Sequence, residues 1–339
     1  AMLAGGSSET TATEQWTTTP SAEFKKIIEG QLYFNSTTNA FKETITDVPA
    51  TSWTSGANLN QARSDSGGFG TQTSGLIAGG YYSPPETYTG IAEEFNGTAW
   101  TEVNDLNSAR GWAGSAGANA EAGLYFGGSQ PALSPPAGSA LTESWDGSSW
   151  TEVNDLNSAR REVGGTGQVY TAALAVGGQG VSPTSVYRDV TESWDGTNWT
   201  EVNNLNNAGS EIACSGSTTS AIAAGGENPS PRQNKTESWD GTSWTEITEL
   251  NTARQGCDAT GPDNTSSLVF GGYPLSAKTE LWNGTSWTEL NDLATAKYGM
   301  GSSGIGVTSA FAAGGYTGSH TNATELWTSG LSNKTISAS

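Results

Sequence analysis

An all-β chain built from a repeated four-stranded unit is what this sequence predicts, and three observations carry that expectation. TEVNDLNSAR occurs letter for letter at 101–110 and 151–160, and TESWDGTSWTEITELNTAR at 236–254 has near copies at 142–160 and 191–209. A double glycine closes an apolar run at Gly79-Gly80, Gly127-Gly128, Gly177-Gly178, Gly225-Gly226, Gly271-Gly272 and Gly314-Gly315, at intervals of 43 to 50 residues. A tryptophan followed by threonine recurs at Trp53, Trp100, Trp150, Trp199, Trp244 and Trp287, at similar intervals. Strand-like content repeating every roughly 40–50 residues is the mark of β-propeller blades.

Each unit reads as four short strands. Strand a is rich in small residues, as in GGFGTQ and AGSAGA, which suits an innermost strand crowded around an axis. Strand b is the apolar run into the double glycine, as in GLYFGG, and strand c is the TESW or TELW piece. Strand d starts at the second tryptophan, after an Asp-Gly or Asn-Gly pair such as Asp146-Gly147, Asp195-Gly196 or Asn283-Gly284. Those pairs tolerate positive φ and are strong hairpin signals. Thirteen tryptophans in a chain only 34% hydrophobic point to many small cores with a large anchor each, not one thick core.

Counting from Trp53 gives one d strand, five full blades and a last a-b-c set. The Trp53 strand joining the C-terminal blade would close a ring of six, the preferred count. LAGG (3–6) and TEQW (13–16) then belong to a preceding propeller, or they open a seventh blade. The expected organisation is a partial blade at 1–18, a linker at 19–50 holding a hairpin at 30–44, the propeller at 51–330, and a C-terminal strand or tail at 331–339. The chain begins inside what is elsewhere a repeat, so a longer natural chain upstream is expected.

The succession of arginine, double glycine, strand-c aromatic and strand-d tryptophan resembles the kelch family of β-propellers over residues 51 to 328. GQLYFNSTTNAFKET, within the linker, is similar to hairpins of tailed-phage structural proteins, and the whole chain resembles repetitive kelch-type virion proteins of marine phages. That resemblance implies a non-enzymatic tail or fibre-like component in the virion, with other virion proteins as partners through the 30–44 hairpin. Trimers are usual in phage fibres, so it also implies a homo-oligomer. Two other readings stay open: a purely structural capsid or tail decoration, and a secreted or cell-surface bacterial adhesin or lectin-like propeller.

The c–d turns are nearly identical between repeats, whereas the b–c loops differ in length and composition. Loops released from framework duty often carry recognition. Tyr81, Tyr82, Tyr88, Tyr187, Tyr273 and Tyr316 offer flat surfaces there, and Arg188 and Arg232 offer donors. That mixture suits a host-surface glycan or protein. Arg63, Arg110, Arg160, Arg254 and Lys297 each precede strand a and are expected as a ring near the channel mouth, interrupted at Gly209. In some kelch proteins matching arginines bind acidic peptides; the framework alternative pairs each with an acidic residue of NDL or TEL.

No enzyme is expected. The single histidine, His320, cannot assemble the copper site of the oxidases among kelch propellers. SWDGTSW resembles the Asp-box turn of sialidases but is one residue short. A net charge of −20 disfavours nucleic acid and anionic lipid as partners. Cys214 and Cys257 have no metal-type spacing and read as two small buried residues. No run of 18 apolar residues occurs, so no membrane insertion is expected, nor any metal or cofactor.

Overall fold

The computed structural model describes the backbone of residues 2–4, 13–15, 32–35, 40–130, 138–180, 186–229, 232–303 and 305–335, and the side chains among these from 51 to 329. The chain divides into two compact units, Val48–Gly330 and Ala1–Asp47 with Leu331–Ser339. All described regular structure is strand.

Six antiparallel sheets make up the larger unit, and the protein is a six-bladed β-propeller. Strands are lettered a to d from the axis outward. Blade 1 comprises Gly67–Thr71, Ser74–Ala78, Ala92–Phe95 and Trp100–Val103. Blade 2 comprises Gly114–Asn119, Ala122–Phe126, Thr142–Trp145 and Trp150–Val153. Blade 3 comprises Gly164–Val169, Ala172–Val176, Thr191–Trp194 and Trp199–Val202. Blade 4 comprises Ala213–Ser217, Ser220–Ala224, Thr236–Trp239 and Trp244–Glu246. Blade 5 comprises Asp258–Asp263, Ser266–Phe270, Thr279–Trp282 and Trp287–Glu289. Blade 6 takes Gly301–Ser302, Ser309–Ala313 and Thr324–Thr335, with Ala40–Ser55 hydrogen-bonded beside the last. Around that closure the Trp53 ring lies 5.4 Å from Trp327, and Gly56 N–H donates to Thr324 O at 2.8 Å.

In the smaller unit Met2–Ala4 pairs with Thr13–Gln15, Met2 opposite Gln15. Leu32–Asn35 pairs with the start of Ala40–Ser55, Leu32 opposite Glu43 and Asn35 opposite Ala40. The expected turn residues of that hairpin, and Gly5, Gly6 and Trp16 of the fragment before it, lie outside the described residues.

The hydrophobic material is divided among six clusters, each between neighbouring blades. In one of them Leu124 and Phe126 of blade 2 meet Ala173, Ala175, Trp194 and Trp199 of blade 3. This is how a chain with few hydrophobic residues still folds: each small core needs only a few aliphatics and a tryptophan pair, or Phe95 with Trp100 in the cluster between blades 6 and 1. The c and d tryptophans of blade 3 lie 5.4 Å apart, a favourable aromatic separation.

The repeated polar letters tie the blades together. The d-strand indole N–H reaches back to a c-strand threonine in the preceding blade: Trp199 to Thr142 at 3.0 Å, Trp244 to Thr191 at 3.1 Å, Trp100 to Thr324 at 3.1 Å. Blade 1 starts strand c with Ala92 instead, and the buried Trp150 Nε1 of blade 2 has no hydrogen-bond partner. Ala92→Thr should therefore stabilise the protein by about 1 kcal/mol, read as a melting-temperature rise of roughly 2–4 °C. An unchanged or lower melting temperature would mean that blade 1 cannot seat the threonine as blades 2, 3, 5 and 6 do.

The TESW and LNxAR motifs form one lock. The strand-c glutamate receives the arginine on one oxygen and the asparagine amide on the other. In blade 2, Arg110 Nη1 lies 2.5 Å from Glu143 Oε1, while Asn107 donates its backbone N–H and Nδ2 to Oε2 at 2.7 and 2.9 Å. Arg63–Glu93, Arg160–Glu192, Arg254–Glu280 and Lys297–Glu325 repeat the pairing. The partner carboxylate thus comes from strand c and not from the NDL or TEL segment that precedes the cation. Every such arginine is fully buried, which is tolerable because its charge is paired; in blades 2 and 3 Nη2 also reaches a strand-b carbonyl, Tyr125 O and Ala175 O, both at 3.1 Å, whereas the Nε groups have no partner.

The c–d turns are held by their own aspartate: Asp146 Oδ1 accepts the N–H groups of Ser148 and Ser149, both at 2.8 Å. These bonds draw the Asp146 carboxyl down to about 2, and Gly147 takes the required φ of 90°.

Candidate ligand-binding face

The face bearing the d–a and b–c loops is organised by the residue two positions after each arginine that precedes strand a, or after its counterparts Gly209 and Lys297. These six residues are Asp65, Trp112, Glu162, Glu211, Gly256 and Gly299, and all have φ between 52° and 60°. Their main chains bond head to tail around the axis. Trp112 N–H donates to Asp65 O, Glu162 to Trp112 O, Glu211 to Glu162 O, Gly256 to Glu211 O, Gly299 to Gly256 O, and Asp65 to Gly299 O, with lengths from 2.6 to 3.2 Å. The ring forms because each blade presents the same left-handed residue to its neighbour. Glycine adopts that conformation without strain; an aspartate, a tryptophan and two glutamates do so at a cost.

Below the ring the strand-a glycines let blades meet closely. A Cβ on Gly165 would lie 2.4 Å from Ser115 N, and one on Gly68 would lie 2.6 Å from Ser302 O. The channel there is narrow, about 90 Å³. At the mouth it widens to about 350 Å³, lined by Asp65, Trp112, Glu162, Glu211, Asp258 and Tyr298 among others.

The mouth is acidic, and its carboxylates are only partly compensated. Ser64 Oγ donates to Asp65 Oδ2 at 2.7 Å, Ser210 Oγ to Glu162 Oε2 at 2.8 Å, and Gln255 Nε2 to Glu211 Oε2 at 3.1 Å. Glu162 also has Arg161 at 3.4 Å. Burial is the main cause that pushes Asp65 up to about 6 and Glu211 and Asp258 up to about 8; repulsion from Glu162 and Asp65 adds to it at Glu211. The protonated forms of all three are favoured in the folded state, so folded protein holds protons that the unfolded chain has released. Stability should fall as pH rises from about 4 to about 8 and level off above. Glu211→Gln should flatten the profile, raising the melting temperature by roughly 3–6 °C at pH 9 with little change at pH 5. Parallel wild-type and variant profiles would remove Glu211 as the source.

Around part of the mouth runs a chain of ring contacts. Tyr273 lies 5.5 Å from Tyr298, Tyr298 5.4 Å from Tyr316, and Tyr316 5.5 Å from His320. His320 then lies 5.7 Å from Tyr81, Tyr81 5.2 Å from Tyr88, and Tyr88 5.8 Å from Trp112. A cation sits at each end, Arg232 over Tyr273 at 5.4 Å and Arg161 over Trp112 at 5.7 Å.

Of the residues singled out from the sequence, the structure brings Tyr81, Tyr88, Tyr273, Tyr316 and Arg232 into this arc. Tyr82 is opposite Thr87 in a short two-stranded ribbon. Tyr187 stands apart: its hydroxyl donates to Glu227 at 2.6 Å, and burial with that carboxylate raises its pKa. Arg188 sets its guanidinium against Gly180. Arg63, Arg110, Arg160, Arg254 and Lys297 are enclosed inside the blades and line no part of the mouth. Segments 131–137, 181–185 and 230–231 of the b–c loops lie outside the described residues. Sequence reasoning missed Trp112, Tyr298, His320, Arg161 and the carboxylates Asp65, Glu162, Glu211 and Asp258. A signal existed for four of them: Asp65, Trp112, Glu162 and Glu211 each fall two positions after the arginine or its counterpart Gly209, and vary where the framework letters do not.

Gly209, the break in the cationic series, has a local remedy. Asn207 stands where the other repeats have serine, threonine or glutamine, and its Nδ2 and N–H reach Glu237 Oε1 at 3.1 and 3.0 Å. A cavity of about 20 Å³ remains beside it, room for one water.

No protein-family model matches the sequence, and no curated protein matches it. Among solved structures the chain is similar to one described as the structure of YjhT, with a TM-score of 0.67 and 13% identity, over 82% of this chain and 99% of that one. Identity this low speaks for the fold alone. Fold and face together define the class: a six-bladed propeller suited to a binding or structural role.

Proposed function

We propose that this chain is a kelch-type, non-enzymatic recognition protein of a tailed-phage particle, a tail or fibre-like appendage whose b–c loop face contacts a host-surface glycan or protein. The division of labour between the two faces carries the reading. The c–d turns repeat nearly the same letters and spend their aspartates on their own backbone. The b–c face collects the departures from the repeat into one aromatic arc beside a cavity of about 350 Å³, within the size range of ligand sites. Attachment to other virion proteins is assigned to the Leu32–Asn35 hairpin, on its resemblance to phage structural hairpins.

The test is binding of the labelled full chain to a broad glycan array and to intact marine bacterial cells. Saturable binding should weaken about tenfold or more in Tyr273→Ala and Tyr316→Ala, since aromatic contacts dominate such surfaces. Absence of binding to every surface would overturn recognition and leave the decoration reading. Discovery of a signal peptide in the natural gene would move the protein to the adhesin class instead.

A further inference from the structure

We propose that the channel mouth is a subsite for an extended primary alkylammonium group, of the kind carried by a lysine side chain. This deepens the reading of the b–c face as a recognition surface and names the chemistry it would select.

The key residue is Asp258, at the start of strand a in blade 5. The other blades place Gly67, Gly114, Gly164, Ala213 and Gly301 at this position, as the crowding of strand a requires. Asp258 is partly exposed and lines the channel, and its buried Oδ2 has no hydrogen-bond partner. The framework cation it feels is the buried Lys297, whose charge is already paired with Glu325. It lines both the narrow channel and the wide mouth, so it forms the floor of the cavity, with Asp65, Glu162 and Glu211 at the ring above.

A buried carboxylate oxygen without a donor calls for a ligand that brings donors. An ammonium has three N–H donors and no acceptor, the complement of a cavity rich in carboxylate oxygens. Anionic ligands would oppose ionisation of all four carboxyl groups, whereas a bound cation favours the ionised form of each, Asp258 and Glu211 included. Among the described residues no group of three or more His, Cys, Asp or Glu is arranged to hold a metal ion, which favours an organic cation over a divalent one. Length follows from depth: the charge must pass the ring to reach Asp258, and Trp112 and Tyr298 line the way, able to cover a methylene stem and attract the cation.

Calorimetric titration of the full chain with n-butylammonium chloride and with Nα-acetyl-lysine methylamide tests this, with glucosamine and calcium chloride as parallel arms. Both alkylammonium probes should bind in the millimolar range, as expected of ligands with so few atoms. Asp258→Asn and Glu211→Gln should each weaken them about tenfold; both substitutions relieve repulsion, so folding should persist. No binding of either probe, equal binding by the variants, tighter binding of calcium, or equal binding of glucosamine would each overturn the proposal. The same variants are then tried on cells. Alkylammonium binding without cell binding would leave the subsite and remove host recognition, whereas cell binding without it would do the reverse.

Discussion

Arg110→Ala should destabilise the propeller by about 3–5 kcal/mol, because it strips a buried carboxylate of its counter-charge. Glu143 is 1% exposed and would keep only the Asn107 and Ser108 donors. The guanidinium also holds Tyr125 O at 3.1 Å and lies 5.0 Å from the Tyr125 ring, so packing is lost with the charge. Thermal unfolding should show a drop on the order of 10 °C. Blade 4 supplies the control, since Glu237 already does without an arginine by using Asn207. Adding Ser108→Asn to Arg110→Gly should recover about half of the loss, and Arg110→Met with Glu143→Met should recover more, by removing both charges. A loss below about 1 kcal/mol for Arg110→Ala would show that water reaches Glu143 and that the lock contributes little.

The second large effect is expected at the interblade tryptophans. Trp199→Ala should cost about 3–5 kcal/mol, the usual range for a buried tryptophan truncated to alanine. Trp199 is 5% exposed, lies 4.8 Å from Phe126 and 5.4 Å from Trp194, and bonds Thr142. Phenylalanine separates packing from hydrogen bonding. Trp199→Phe should cost about 1 kcal/mol more than Trp150→Phe, because Trp150 Nε1 has no acceptor to lose. Equal costs in denaturant titrations would mean that the indole–threonine bonds add nothing net to blade adhesion.

Much of this architecture was legible because a blade is a local object. Strands a to d of one repeat are neighbours in sequence and in space, joined by short turns whose Asp-Gly and Asn-Gly pairs announce themselves. The role of the strand-c glutamate was not legible. Glu143 and Arg110 are 33 residues apart, and an acidic residue of NDL is closer in sequence, so reach along the chain suggested the wrong partner. The face was half legible. Tyrosines in variable loops drew notice by composition, yet Tyr298, just after Lys297, and Trp112, two positions after Arg110, passed as framework letters. The acidic mouth passed too, since −20 of net charge makes any single glutamate unremarked.

What the sequence by itself determined is the unit, a four-stranded blade with small residues inward and tryptophans between; six was its preferred count, and the structure supplies the six sheets. What only the tertiary structure decided is which departures from the repeat meet. Asp65, Glu162, Glu211 and Asp258 span 193 positions of chain and are brought to one opening by rotation about the axis. A periodic sequence specifies each contact between adjacent units, because the same letters recur at every interface. It does not specify the sum around the ring, because that depends on six different blades presenting one position each to a common centre.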